Sequence, residues 1–195
     1  CGPDVAYSLT GAQPDEDGVY LQLIGDIDQG DTFERQQDEK DEWEHLLGKW
    51  EFISLREDRQ ADQMQADLSA NAFSYYGSSD DIALAAMGSW YWRNCSYSAA
   101  FRARKGAAVA GLAFYVQDKD NYLLLRWHSR FSDIEGGPRL QLLAVTAGQQ
   151  EVLAETPGGF FPDQWYALQV DACDGHFWAY VDGELRLEAE SDLLG

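Results

Sequence analysis

Short runs of alternating apolar and polar residues recur along the chain from residue 82 onward. Such alternation places successive side chains on opposite faces and predicts half-buried β-strands. Between the runs stand turn-forming residues, and the pair Asp182-Gly183 predicts a two-residue hairpin turn. The pattern therefore predicts an all-β fold, an antiparallel sandwich or barrel, and nine runs carry it: DIALAA, CSYSAAFRAR, AAVAGLAFYV, NYLLLRW, RLQLLAV, QEVLAE, QWYALQV, HFWAYV and ELRLEAE.

The part of the chain before residue 50 is less regular. The stretch EKDEWEHLLG ends at Gly48, and it predicts at most one short helix near residues 38–47. Further upstream, GVYLQLIGDI predicts a single strand that is followed by an acidic break. We interpret residues 1–30 as a linker or the end of a preceding domain, and residues 31–195 as one β-sandwich. The alternative is that GVYLQLIGDI forms the first strand of that sandwich.

Composition and charge narrow the classes of partner. Of the 195 residues, 45% are hydrophobic, which is typical of a globular chain. The 34 acidic and 14 basic residues give a net charge of -20, which repels a phosphate backbone and disfavours an anionic membrane surface. No stretch approaches the roughly 20 apolar residues of a membrane span. We therefore expect neither nucleic-acid binding nor membrane insertion.

The three cysteines form no disulfide framework or zinc motif that the sequence reveals. Strand parity places Cys95 with Tyr97 on one face and Cys173 with Asp171 on the other face. If both strands belong to one sheet, the two thiols point to opposite sides, and only a β-bulge would allow them to pair.

The order of the motifs after residue 43 carries a family resemblance. LLGKWEF, GSWYWRNCSYSAAFRAR, AGLAFYVQDKDNYLLLRW, RLQLLAV and FPDQWYALQVDACDGHFWAYVDGELRLEA follow one another. This series resembles the concanavalin A-like lectin/glucanase superfamily, in its bacterial branch of laminin G-like and 3-keto-disaccharide hydrolase-like domains, over roughly residues 43–195. Its most specific part is Trp165 opening a strand, then a hairpin ending in Tyr180-Val181-Asp182-Gly183.

The resemblance implies a two-sheet jelly roll with one concave face. It also implies a secreted, periplasmic or cell-surface protein. Such domains continue with further strands beyond the point that corresponds to SDLLG, so we expect the C-terminal strands to be missing here.

Two acidic motifs invite a catalytic or metal-binding interpretation. In DKDN, Asp118 and Asp120 match the first positions of a calcium loop, but Leu123 stands where that loop needs glycine. We therefore predict a hairpin turn and no cofactor, although some members of the superfamily bind calcium. EKDEWE matches the outline of the retaining glucanases, whose carboxylates alternate with core-facing apolar residues, but here Lys40 and Glu42 occupy those places. We predict no catalytic residues.

Strand parity also selects a candidate ligand surface. Aromatic rings stack on the apolar faces of sugars, and nearby polar groups bind their hydroxyls. We therefore predict a non-catalytic carbohydrate-binding or structural module. The alternatives are a glycoside-active enzyme of the 3-keto-disaccharide hydrolase kind, a laminin G-like protein-interaction module, or aromatics covered by loops or a neighbouring domain. The predicted ligand-binding residues are Tyr115, Tyr122, Arg126, His128, Trp178 and Tyr180.

Overall fold

The computed structural model describes residues 22–23, 26–27, 43–54, 73–79, 82–88, 94–103, 106 and 108–192. These residues are all-β: they include no helix, and hence none that could cross a membrane. The predicted boundary near residue 30 and the acidic break after it lie outside the described residues. The strands are β1 Gln22–Leu23, β2 Asp26–Ile27, β3 Glu44–Leu47, β4 Lys49–Ser54, β5 Phe73–Ser78, β6 Leu84–Ala86, β7 Ser96–Phe101, β8 Val109–Asp118, β9 Asn121–His128, β10 Arg139–Thr146, β11 Gln149–Pro157, β12 Tyr166–Cys173, β13 His176–Val181 and β14 Glu184–Glu190.

Two four-stranded antiparallel sheets form the sandwich. The first sheet has the order β11-β10-β9-β8, and the second has the order β14-β13-β12-β7. Shorter pairs are formed by β1 with β2, β3 with β6, and β4 with β5. Each of the nine predicted runs overlaps one of the strands from β6 to β14, so the predicted all-β antiparallel sandwich is confirmed.

The core lies between the inner faces of the two sheets. In strands such as β12 and β13 alternate residues point inward and bury their side chains, because a sheet with one apolar face is stable only when that face is covered. The largest side chains that are less than 2% exposed include Phe114, Leu123, Leu125, Leu142, Leu168, Val170 and Phe177.

Three hairpins close with the same kind of turn. The central pairs are Ala147-Gly148, Asp174-Gly175 and Asp182-Gly183, and both residues of each pair have positive φ angles between 47° and 81°. Positive φ at both positions defines the type I′ turn, whose twist matches that of the flanking strands. The turn predicted at Asp182-Gly183 is confirmed.

The described residues near the N-terminus are strands. The sequence allowed at most one short helix near residues 38–47, and the described part of that segment belongs to β3, which pairs with β6 and packs Leu46 and Leu47 onto the outer face of the first sheet. Within GVYLQLIGDI, β1 and β2 pair with each other, so the prediction of a single strand is wrong. At β3, tertiary packing overrides the local pattern.

The two described cysteines lie as the parity argument predicts. Tyr97, two residues after Cys95, packs against the core, and Ala172 places the adjacent Cys173 on the outer side of the second sheet. Cys95 is a thiol, so the two residues do not form a disulfide with each other.

Candidate functional site

The DKDN segment is the turn that joins β8 to β9, as predicted. The Asp118 carboxylate accepts a hydrogen bond from the Asp120 amide at 2.7 Å and two from Asn121 Nδ2 at 2.9 Å. The Asp120 amide is the main cause of the lowered pKa of Asp118, and the Asn121 side chain is the next. Both carboxylate oxygens therefore hold the turn together. Across residues 43–192, where they are described, no three His, Cys, Asp or Glu side chains cluster as a metal site.

The six predicted ligand-binding residues occupy three different places. Tyr122, Arg126 and His128 alternate with the core-facing residues of β9, on the outer face of the first sheet. The outer face of the second sheet carries Trp178 and Tyr180, which alternate with the buried residues of β13. Since the two sheets pack through their inner faces, these sets lie on opposite sides of the sandwich and do not share one ligand surface.

Tyr115 departs from the parity that the sequence predicts. Its φ angle is 50°, and the ladder between β8 and β9 shifts between Phe114 and Asp118. The Tyr115 ring consequently contacts Tyr97 and Phe177, each with ring centroids 6.1 Å away, and packs against the core. The prediction that Tyr115 points away from the core is wrong because the bulge reverses the alternation at this point.

The Tyr122 end of the first sheet's outer face is covered. The Tyr122 side chain is only 4% exposed and packs in a small cluster with Leu84 and Val145, beneath β3 and β6. Burial raises the pKa of the Tyr122 hydroxyl. A ring buried in this way stabilises the contact between β9 and the β3–β6 pair and is not available for stacking on a sugar.

At the other end of the same face, hydrogen-bonded side chains cross three strands. We call Arg126, Gln141 and Glu155 the polar ladder. Arg126 donates through Nε and Nη2 to Gln141 Oε1 at 3.2 and 2.8 Å, and through Nη1 to Gln150 Oε1 at 2.9 Å. Gln141 Nε2 then donates to Glu155 at 2.8 Å. This bond is the main cause of the lowered pKa of Glu155, and Arg139 contributes from 3.4 Å.

His128 lies beside the polar ladder and is 7% exposed. Its Nδ1 lies 2.9 Å from the Arg139 carbonyl oxygen, and because a carbonyl can only accept, Nδ1 carries the proton. Burial lowers the pKa of His128, and the charges of Arg126 and Arg139 lower it further. The imidazole is therefore neutral at neutral pH and lies in a locally positive field.

The outer face of the second sheet carries a group of side chains that we call the Trp178 platform, formed by His176, Trp178, Glu188 and Glu190. The two rings are nearly parallel, with centroids 6.0 Å apart and an interplanar angle of 15°. Cross-strand pairing sets Glu188 beside Trp178 and Glu190 beside His176, whose Nδ1 lies 3.2 Å from Glu190 Oε1. All four residues line an open depression of about 360 Å³.

Next to this platform, Asp171 organises the neighbouring strands. Its side chain is only 6% exposed and accepts hydrogen bonds from Ser96 Oγ and from Gln169 Nε2 at 2.8 Å. Burial raises the pKa of Tyr180, and the Asp171 carboxylate raises it further. Tyr180 stands two residues after Trp178 in β13, so both side chains lie on the outer face of the second sheet.

The sequence analysis did not identify most of the polar residues of the polar ladder and of the Trp178 platform. Only part of the platform had a signal: the Asp182-Gly183 turn predicts that β14 folds back along β13, but the register shift that sets Glu188 beside Trp178 has none. For the polar ladder no comparable signal exists, since glutamines on alternating strands are usual at solvent-facing positions. The missed residues are Gln141, Gln150, Glu155, His176, Glu188 and Glu190.

No protein-family model and no curated protein sequence matches the chain. Among solved structures the chain is similar to the carbohydrate-binding module CBM66 from Bacillus subtilis, with a TM-score of 0.59 and 16% sequence identity. The match covers 78% of this chain and 81% of that chain. At this identity the likeness shows that the two share a β-sandwich fold.

Proposed function

We propose that this chain is a non-catalytic carbohydrate-binding module and that the Trp178 platform is its sugar-binding surface. The observation that carries the proposal is the nearly parallel pair of rings, Trp178 and His176, which line an open depression together with two carboxylates. The similarity to the solved structure of a carbohydrate-binding module supports it. A concanavalin A-like ancestry and a secreted, periplasmic or cell-surface location belong to the same proposal.

The chemistry of the platform suits a neutral or weakly basic sugar. The apolar face of a pyranose or furanose ring stacks on the Trp178 indole, and the sugar hydroxyls donate to the carboxylates of Glu188 and Glu190. The Glu190 side chain is 78% exposed and can therefore adjust to its ligand. Tyr180 follows Trp178 on the same face of β13 and extends the aromatic surface along the strand.

The test is a glycan array followed by calorimetry with Trp178→Ala and a matched control, Trp165→Ala. Trp165 is 42% exposed but precedes β12, away from the platform, so it controls for the loss of an exposed indole. We expect Trp178→Ala to lower the affinity roughly tenfold or more, since it removes the stacking area and the aromatic contact. Equal losses in both variants, or a blank array from the folded protein, would refute the proposal, and substrate turnover would favour the enzyme alternative.

A second candidate function is favoured by a different surface. Three large apolar side chains are exposed in the loops that follow β9 and β11: Phe131 at 61%, Phe161 at 42% and Trp165 at 42%. Arg130 lies over the Phe161 ring at 4.7 Å, and Arg102 lies over the Trp165 ring at 5.8 Å. Exposed aromatics with arginine are typical of protein interfaces, and a laminin G-like interaction module would use them. Pull-down of a partner that Phe131→Ala and Trp165→Ala release, while Trp178→Ala retains it, would support this function.

A further inference from the structure

Arg126 is a half-buried cation whose bonds are all to neutral groups. Three of its N–H donors reach Gln141 Oε1 and Gln150 Oε1, which are amide oxygens. A guanidinium carries five N–H donors, so two of them remain for an acceptor outside the described hydrogen bonds. Burial of charge without an opposite charge is costly, and a guanidinium normally offsets it with a carboxylate.

The charges around Arg126 add up to a positive site. Glu155 is the acidic residue of the ladder, and it is already bonded by Gln141 and paired with Arg139. Arg139 lowers the pKa of Arg126, after the larger effect of burial, and both arginines lower that of His128. A net positive site on a chain of charge -20 is the reverse of what the overall composition would place there.

We propose that the polar ladder is a second ligand site, and that it binds the carboxylate of an acidic sugar such as a hexuronic acid residue. The planar fork of Arg126 matches the two oxygens of a carboxylate. Gln150, which is exposed, lies beside the fork and supplies an amide donor for the ring hydroxyls, whereas the buried Gln141 positions the guanidinium. This site is on the sheet opposite the Trp178 platform, so it does not depend on the function proposed there.

The total charge of the chain selects a single carboxylate over denser anions. A polyanion such as a heavily sulfated glycan would meet long-range repulsion from the acidic surface. A single carboxylate at this positive site experiences little of that repulsion, because exposed charges more than about 8–10 Å away are screened at physiological salt. The predicted ligand is thus a carboxylated sugar that places one negative charge at the site.

The test compares uronic-acid oligosaccharides with their carboxyl-reduced twins, which keep the same ring stereochemistry and lose only the charge. Binding to the full chain is measured by calorimetry or ligand-observed NMR at low and physiological salt. Charge-assisted hydrogen bonds are worth about 1.5–3 kcal/mol, so we expect the uronate to bind roughly tenfold to a hundredfold more tightly than its twin. Added salt should weaken the binding of the uronate and leave the binding of its carboxyl-reduced twin unchanged.

Three variants assign the effect to the ladder. Arg126→Gln should abolish the preference for the uronate. Arg126→Lys keeps the charge but loses the bidentate fork, so most of the preference should be lost. Glu155→Gln removes a nearby negative charge and should strengthen uronate binding. Trp178→Ala should leave it unchanged. Equal binding of uronate and twin, an unchanged preference in Arg126→Gln, or a sulfated sugar that binds as tightly as the uronate would overturn the proposal. Glu155→Gln keeps it testable if the arginine variants fold poorly.

Discussion

Two adjacent phenylalanines in the connection from β11 to β12 have opposite environments. Phe160 is 1% exposed, and its ring contacts Phe101 and Trp127 at centroid distances of 5.2 and 5.4 Å. Its backbone is held on both sides, since its amide donates to the His128 carbonyl and its carbonyl accepts from the Arg130 amide at 2.7 Å. Phe160 therefore closes one end of the core, although it belongs to no strand.

We expect Phe160→Ala to lower the free energy of unfolding by about 3–5 kcal/mol, the usual range for deleting a buried phenylalanine. The matched variant is Phe161→Ala, whose ring is 42% exposed and lies under Arg130. Its loss should cost about 0.5–1 kcal/mol, the worth of an exposed cation–π contact.

Urea unfolding followed by near-ultraviolet circular dichroism separates the two. With a slope of about 2 kcal/mol/M, the midpoint should fall by about 2 M for Phe160→Ala and by less than about 0.5 M for Phe161→Ala. If Phe160→Ala does not fold, Phe160→Leu provides a smaller cavity and a measurable midpoint. Similar losses for both alanine variants would mean that the connection does not close the core, and the reasoning would be refuted.

Three further outcomes follow from the geometry. Gly111→Ala would place a Cβ 2.7 Å from the Leu125 carbonyl oxygen. The thermal midpoint should therefore fall by an amount equivalent to about 1–3 kcal/mol. An unchanged midpoint would contradict the close approach of β8 and β9. Because burial lowers the pKa of His128, the unfolded chain takes up its proton more readily, and stability should be lost as the pH falls from about 7 to about 5. His128→Gln should flatten that loss in urea titrations, and parallel curves for the two proteins would disprove it. Calcium should leave the thermal midpoint unchanged, since the Asp118 oxygens are bonded within the turn; a rise that Asp118→Asn abolishes would contradict this.

The strands and turns could be predicted from the sequence because their signals are local. Alternation over six to ten residues gives a strand, and Asp182-Gly183 or DKDN gives the turn that follows. The assignment of strands to sheets is not local: β7 pairs with β12, and Ser96 and Asp171 meet although they stand 75 positions apart. Without that pairing, strand parity alone places Arg126 and Trp178 on one ligand surface, whereas they lie on the outer faces of two different sheets.

Bulges account for the remaining errors at the site. Between Ala179 and Tyr180 the register of β13 with β14 shifts by one residue, which brings Glu188 beside Trp178 and leaves Leu185 44% exposed. A plain two-residue hairpin would have set Leu187 there. A bulge depends on how both faces of a sheet must pack, so the alternation of a single strand does not reveal it.

The strand order of the two sheets also has a consequence for the way the chain acquires its structure. Strands β8 to β11 are neighbours in both sequence and space. Two-residue turns join β8 to β9 and β10 to β11, and residues 129–138 join β9 to β10. In the second sheet β7 pairs with β12, and the chain between these two strands includes all four strands of the first sheet. Since loop closure is slower for distant segments, we expect the β8–β11 meander to gain hydrogen-exchange protection first and the β7–β12 ladder to limit the folding rate.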